Sequence, residues 1–110
     1  MIKLITVGKG KRGMNPREFS RYWYETHGPL FRDTFPQVQK YVQNHAVRFD
    51  RDKEPPVDGV AEFWFEDIAS WRSFRDVYLS NRGKMIQEDE EKFMDRQTLV
   101  ALLVEEKAIK

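Results

Sequence analysis

Apolar residues follow two different periods along this chain, and each period predicts a different element. Short runs rich in β-branched and aromatic residues predict strands at residues 2–7, 38–47, 60–66 and 98–104. Helical spacing predicts helices at residues 16–27, 68–78 and 84–94, with a loose turn or short helix at 31–36. Asp67 is the predicted N-cap of the second of these helices. The main elements occur in the order β-α-β twice. This order predicts an α+β, ferredoxin-like split βαβ fold, in which both main helices cover one face of a four-stranded antiparallel sheet.

The first predicted helix has clear signals at both ends. Asn15 is a suitable N-cap, and Pro16 suits the first helical position, where its missing N–H costs nothing. Gly28 can adopt the left-handed conformation and Pro29 cannot continue a helix, so we expect the helix to end at His27. The residues that share the spacing of one buried face are Phe19, Tyr22, Trp23, Thr26 and Leu30.

The predicted sheet is apolar on both faces. In the third strand Phe63 and Phe65 face one way while Val60 and Trp64 face the other, and residues 99–104 are apolar at every position. The helices cover only one face, so the open face requires another partner. A second copy of the same sheet is the simplest one. The sequence therefore predicts a homodimer through the sheet face, which is a dimeric α+β barrel.

Composition and charge exclude several classes of protein. A length of 110 residues predicts one domain spanning residues 1–110. The net charge of +1 predicts no nucleic-acid partner, and we expect the short charged runs at residues 9–12 and 88–91 to be solvated surface. No apolar run approaches the roughly 20 residues of a membrane helix and no secretory signal is visible, so we expect no membrane partner and a cytoplasmic location. Without cysteine there is no disulfide and no thiolate nucleophile.

Three ionisable residues are candidates for catalysis. His27 lies at a helix end, where the dipole favours the imidazolium and partial burial favours the neutral ring, a balance that suits a general acid or base. His45 lies on the polar side of its strand, and Glu62 is a carboxylate on an otherwise apolar strand face. Each also has a structural explanation: His27 could cap helix carbonyls, His45 could lie on a wet strand surface, and Glu62 could form a structural ion pair or hydrogen bond.

Aromatic and amide side chains near these candidates are expected to bind a substrate. These residues are Tyr22, Trp23, Tyr41, Asn44 and Trp64, although most aromatic residues of this chain are also explained by a hydrophobic core. Two histidines and one carboxylate could in principle form an iron-binding facial triad, but no His-x-x-His or similar spacing supports it. We therefore predict no metal and no cofactor.

Three sequence segments carry a resemblance to a known family. They are Trp-x-x-x-His-Gly-Pro-Leu from Trp23 to Leu30, Tyr-Val-Gln-Asn-His from Tyr41 to His45, and the Asp-Gly of residues 58–59 leading to a glutamate and a Trp-Phe pair at residues 62–65. Over nearly its whole length the chain resembles the EthD family of small dimeric α+β barrel proteins. The family is named after ethyl tert-butyl ether degradation, and its relatives include lactone isomerases, polyketide cyclases, decarboxylases and monooxygenases. The resemblance implies the barrel fold and leaves the reaction open.

Three functions are consistent with these observations. The first is a cofactor-free enzyme that binds a small apolar, oxygenated organic molecule between the sheet and the helices and uses His27 as general acid or base. The second is a non-catalytic accessory or binding protein of an oxidative degradation pathway, with the same pocket but no working proton-transfer pair. The third is an oxidoreductase that uses haem, iron or oxygen directly. We prefer the first.

Overall fold

In the computed structural model, which describes every residue from Met1 to Lys110, a four-stranded antiparallel sheet carries the helices on one face. The strands are β1 (Ile2–Gly10), β2 (Lys40–His45), β3 (Gly59–Phe65) and β4 (Met94–Glu105). Their order across the sheet is β2-β3-β1-β4, so β2 and β4 form its edges. The ferredoxin-like α+β prediction is confirmed. β2 is shorter than predicted, whereas β1 and β4 are longer.

The helical elements lie between the strands. They are α1 (Pro16–Tyr22), a π-helical segment (Trp23–His27), α2 (Gly28–Thr34), α3 (Ile68–Tyr78) and α4 (Asn81–Glu90). Both predicted N-caps are confirmed, because the Asn15 side chain accepts the N–H of Arg17 and that of Glu18, and the Asp67 side chain accepts the N–H of Ser70. No helix here combines the length and the apolar character that crossing a membrane requires.

The prediction that the first helix ends at His27 is wrong, because the helical path continues to Thr34. Gly28 has right-handed helical angles, with φ −56°, and its N–H donates to the carbonyl of Trp23. Pro29 lies in the first turn of α2, where a proline N–H is not needed. The Gly-Pro pair therefore marks a change of helix type and not a helix end.

The π-helical segment explains which side chains face the core. Phe19, Trp23, His27 and Phe31 are all buried at intervals of four residues, whereas Thr26, expected on the buried face, is exposed. In a regular α-helix such a four-residue series would rotate by about 120° between Phe19 and Phe31. The wider turn of a π-helix, with its i→i+5 hydrogen bonds, takes up this rotation and keeps the series on one face.

The core lies between the helices and the inner face of the sheet. It consists of Phe19, Trp23, Phe31, Phe35, Ala61, Phe63, Phe65, Phe74, Ile86 and Phe93. The outer face of the sheet includes a row in which Val42, Glu62, Ile5 and Leu102 lie side by side on adjacent strands. No helix covers this row. Val100 and Leu102 of β4 are each 60% exposed there.

Candidate active site

A cavity of about 260 Å³ lies between the inner face of the sheet and the helices. Its walls are mainly apolar and aromatic, and include Leu4, Phe19, Trp23, Phe31, Tyr41, Phe63, Trp71, Phe74 and Leu99. The polar side chains on its walls include His27, Tyr78 and Glu90. A predominantly apolar cavity with a few polar groups is the usual form of a small-molecule site.

His27 is buried and forms a hydrogen-bonded pair with a carboxylate of α4. Its Nδ1 lies 2.8 Å from Oδ2 of Asp89, which is also buried. The other carboxylate oxygen, Oδ1, accepts the hydroxyl of Tyr22 at 2.5 Å, and Lys92 Nζ lies 3.6 Å from it. Since a carboxylate can only accept, the His27 Nδ1 carries a hydrogen and donates. The Nε2 of His27 makes no hydrogen bond to the protein and remains available to a ligand.

The surroundings of the pair favour a neutral histidine and an ionised aspartate. Burial lowers the pKa of His27, and the bond to Asp89 only partly opposes this. Burial by itself would raise the pKa of Asp89, but the hydrogen bonds from Tyr22 and His27 outweigh it and hold that pKa below its usual value. His27 is therefore a neutral ring near pH 7, with a free lone pair on Nε2.

Glu90 is a second acidic side chain in the same cavity. It is buried, and its Oε1 accepts the hydroxyl of Tyr78 at 2.6 Å. Burial raises the pKa of Glu90, against the opposing effects of Tyr78 and Arg96. The cavity thus contains a histidine whose pKa is lowered and a glutamate whose pKa is raised.

The expectation that residues 88–91 form a solvated helix face is wrong for Asp89 and Glu90. Sequence reasoning missed both, although a signal for them exists. Ile86 and Phe93 are fully buried, and Asp89 and Glu90 follow Ile86 by the three and four residues that define one helix face. The apolar positions on either side therefore placed this acidic pair toward the core.

His45, the catalytic candidate on β2, does not line the cavity that His27 lines. It borders a separate, more open groove of about 690 Å³, and its ring packs 4.5 Å from that of Trp23. Tyr41 lies between the two spaces, since it lines both the cavity and this groove. Among the predicted substrate-binding residues, Trp23 and Tyr41 line the cavity, whereas Tyr22 contacts Asp89 behind it.

Glu62, Asn44 and Trp64 lie on the opposite, outer face of the sheet. Glu62 accepts hydrogen bonds from Lys3 Nζ at 2.9 Å and from Asn44 Nδ2 at 2.9 Å. These hydrogen bonds lower the pKa of Glu62, and the bond from Lys3 has the larger effect. The Lys3 ammonium also lies 5.0 Å from the centre of the Trp64 ring. This is the structural ion pair considered for Glu62, with a lysine as the partner.

The facial triad considered from the sequence is not formed. His27 faces the cavity, His45 faces the groove, and Glu62 lies on the other side of the sheet. No group of three or more histidine, aspartate or glutamate side chains has a geometry that could hold a metal ion.

Comparison with known proteins identifies the family of this chain. A family model for the EthD domain matches residues 11–97, so the chain belongs to the EthD family. No curated protein is detectably similar to this sequence.

Solved structures with the same fold include proteins from several bacteria. An EthD family protein from Bacillus halodurans is 22% identical, with a TM-score of 0.72 over 97% of this chain and 99% of its own. An EthD-like protein from Ralstonia eutropha is 13% identical, with a TM-score of 0.74 over 99% of this chain and 94% of its own. A dimeric ferredoxin-like protein of unknown function from Thermobifida fusca is 10% identical, with a TM-score of 0.64 over 94% of this chain and 88% of its own. At these identities the likeness defines the fold alone.

Proposed function

We propose that this protein is an acid–base enzyme that acts on a small apolar, oxygenated organic molecule in the cavity between sheet and helices. The observation that carries the proposal is the buried pair of His27 and Asp89. The His27 ring lines the cavity, and its Nε2 makes no hydrogen bond to the protein. A buried histidine held by a carboxylate, with its second nitrogen unbonded, has the arrangement of a general base. A helix-capping histidine would instead donate to a backbone carbonyl.

Each polar group has a distinct role in this proposal. His27 Nε2 accepts a proton from the substrate, and Asp89 stabilises the imidazolium that forms and holds the Nδ1–H tautomer. Tyr22 and Lys92 keep the Asp89 carboxylate ionised by donating to it and by compensating its charge. Glu90, whose pKa is raised by burial, is the general acid on the same cavity. Two titratable groups with opposite pKa shifts supply an acid and a base at one pH.

The cavity also limits the substrate. Its volume of about 260 Å³ lies just below the range of about 300 to 1,000 Å³ found for ligand sites, so the substrate must be small. Aromatic walls favour a small ring or branched hydrocarbon skeleton, whose burial provides most of the binding free energy. The reactions compatible with this set of groups are isomerisation, cyclisation and decarboxylation by proton transfer.

The test follows the fate of protons in a small panel of compounds. Wild-type protein is incubated in D₂O with phenols, ketones and lactones that fit the cavity, and NMR measures deuterium uptake and conversion. His27→Gln keeps a hydrogen-bonding side chain but cannot titrate, so we expect it to lose the activity, whereas Thr26→Ala, an exposed neighbour, should retain it. If a compound that binds is turned over equally by wild type and His27→Gln, the catalytic role is wrong. Binding without turnover of any compound would favour the accessory-protein function.

We also propose that the protein is a homodimer through the outer face of its sheet. The exposed Val100 and Leu102 support this, as do the solved ferredoxin-like relatives described as dimeric. Pairing of two such faces hides apolar side chains that a monomer would leave in water. Sedimentation at micromolar concentration tests the proposal, and a monomer mass there would contradict it.

A further inference from the structure

The side chain of Gln43 on β2 forms hydrogen bonds that fix its amide orientation. One partner is the backbone carbonyl of Trp23, at 2.9 Å from Nε2. A carbonyl can only accept, so the Gln43 atom facing it is the NH₂ group. The same Nε2 lies 2.8 Å from the hydroxyl oxygen of Tyr41, and Oε1 lies 2.9 Å from Nε2 of His45. It follows that His45 donates to Gln43 and Gln43 donates to Tyr41.

In this chain of hydrogen bonds, the hydrogen of the Tyr41 hydroxyl has no acceptor in the protein. The Tyr41 hydroxyl oxygen accepts from Gln43, which has no lone pair on its NH₂ group to accept in return. No hydrogen bond is donated by the Tyr41 hydroxyl to any other protein group. Tyr41 nevertheless lines the cavity and is packed between Phe63, at 4.8 Å, and Phe31, at 5.2 Å, measured between ring centres. A phenol whose ring lines an apolar cavity, and whose O–H has no acceptor in the protein, can donate to a ligand.

From this geometry we infer that Tyr41 binds the carbonyl oxygen of the substrate, so that the substrate class is a small ketone, ester or lactone with a C–H next to that carbonyl. Phe31 lies against both functional side chains, with ring centres 6.1 Å from His27 and 5.2 Å from Tyr41. The proton donor to oxygen and the base for carbon therefore border one space. Gln43 is a positioning residue for Tyr41, and His45 is a positioning residue for Gln43.

The chemical step balances without any other reactant. His27 Nε2 takes the proton from the carbon next to the carbonyl, and the electron pair of that C–H bond becomes the new C=C bond. The carbonyl π electrons move to oxygen, and the Tyr41 O–H stabilises the resulting enolate. His27 then returns the proton either to a different carbon, which completes an isomerisation, or to the alkoxide that forms when the enolate attacks a second carbonyl, which completes a cyclisation. Burial raises the pKa of Tyr41 to about 12, so the phenol stays protonated throughout.

The inference rests on the proposed function for the identity of the cavity, but its test measures binding geometry and not turnover. The probes are acetophenone and ethylbenzene, which differ by one carbonyl oxygen. We expect wild-type protein to bind acetophenone more tightly, and Tyr41→Phe to weaken acetophenone binding by about 5-fold while leaving ethylbenzene binding unchanged. Infrared spectra of ¹³C-carbonyl acetophenone should show the C=O stretch at lower frequency in wild type than in Tyr41→Phe.

The controls separate a donor from a packing residue. Tyr24→Phe removes an exposed phenol outside the cavity and should behave as wild type. Gln43→Met removes the bond that orients Tyr41 and should broaden the carbonyl band. A wild-type protein that binds both probes equally, or neither, overturns the inference, as does a Tyr41→Phe variant that also loses ethylbenzene. His27→Gln should keep the shifted band. A shifted band with no deuterium exchange in any protein would therefore contradict the acid–base function and leave the carbonyl site standing.

Discussion

His27 on the π-helical segment and Asp89 on α4 are joined by a hydrogen bond of 2.8 Å between Nδ1 and Oδ2, although 62 positions separate them in the sequence. The bond selects one tautomer of the ring, with hydrogen on Nδ1 and a lone pair on Nε2. It also requires that Asp89 stay ionised. The Tyr22 hydroxyl, at 2.5 Å from Oδ1, helps to meet this requirement.

We predict that Asp89→Asn lowers turnover by about 10²-fold without unfolding the protein. The amide has one accepting oxygen for the two donors that the carboxylate serves, so either Tyr22 or His27 loses its partner. The ring is then free to take the other tautomer. ¹⁵N NMR of histidine-labelled protein should show a lone pair on His27 Nε2 in wild type and a mixture of tautomers in Asp89→Asn. An unchanged tautomer with full activity would remove Asp89 from the mechanism.

Protonation of His27 should destabilise the fold. Because burial lowers its pKa below the usual value of 6.5, the unfolded chain binds a proton more readily than the folded one. The stability contributed by the neutral ring is complete above about pH 6.5 and is lost as pH falls through the folded pKa. We therefore expect the Tm of wild type to fall relative to that of His27→Gln between pH 7.5 and pH 5. Thermal melts across this range test it, and parallel pH profiles would contradict it.

The contribution of Glu90 to stability should depend on pH in the opposite sense to that of His27. Burial raises its pKa above the usual 4.5, so its contribution to stability is complete below that pH and is lost as pH rises through the folded pKa. Glu90→Gln keeps an acceptor for the Tyr78 hydroxyl and removes the charge. The gain in Tm from Glu90→Gln should therefore grow from pH 4.5 to pH 7.5. Glu88→Gln, on an exposed residue of the same helix, is the matched control and should show no such trend.

The features that sequence predicted correctly are those encoded locally. Alternation along β3 places Phe63 on the inner face and Trp64 on the outer face, and this follows from the pleat of a strand alone. The caps at Asn15 and Asp67 are likewise set by the residue and its immediate neighbours. The order of these elements was then sufficient for the ferredoxin-like fold.

The features that sequence missed depend on contacts between distant segments. No pattern around His27 indicates that its partner is on α4. Gly28 followed by Pro29 is a local signal for a helix end, and it failed because the Trp23 carbonyl finds two partners, the N–H of Gly28 and the side chain of Gln43. Charge alone suggested that residues 88–91 are solvated, whereas the spacing from Ile86 predicted the buried face better.

Gly28 is required for space and not for a left-handed conformation. A Cβ at this position would lie 2.9 Å from Gln43 Nε2 and 3.1 Å from the Trp23 carbonyl oxygen. We predict that Gly28→Ala lowers the free energy of unfolding by about 1–3 kcal/mol, despite the better helix propensity of alanine. In a Gln43→Ala background the closer contact is absent, so the cost should shrink by at least about 1 kcal/mol. Urea denaturation of the four proteins of this cycle gives the coupling, and additive effects would show that Gln43 does not impose the glycine.

The last prediction concerns the outer face of the sheet, where Leu102 is 60% exposed beside Ile5, and Glu62 lies on the other side of Ile5. In the proposed dimer this leucine is buried against the second copy, so Leu102→Glu would place a charge without a partner in the interface. Stable interfaces of this kind bury about 1,200–2,000 Å² in total, and we expect the substitution to shift the protein to a monomer at micromolar concentration. Leu79→Glu changes a leucine that is 69% exposed at the end of α3, and should leave the dimer intact. Sedimentation velocity distinguishes the outcomes: a Leu102→Glu dimer as stable as wild type would move the interface elsewhere.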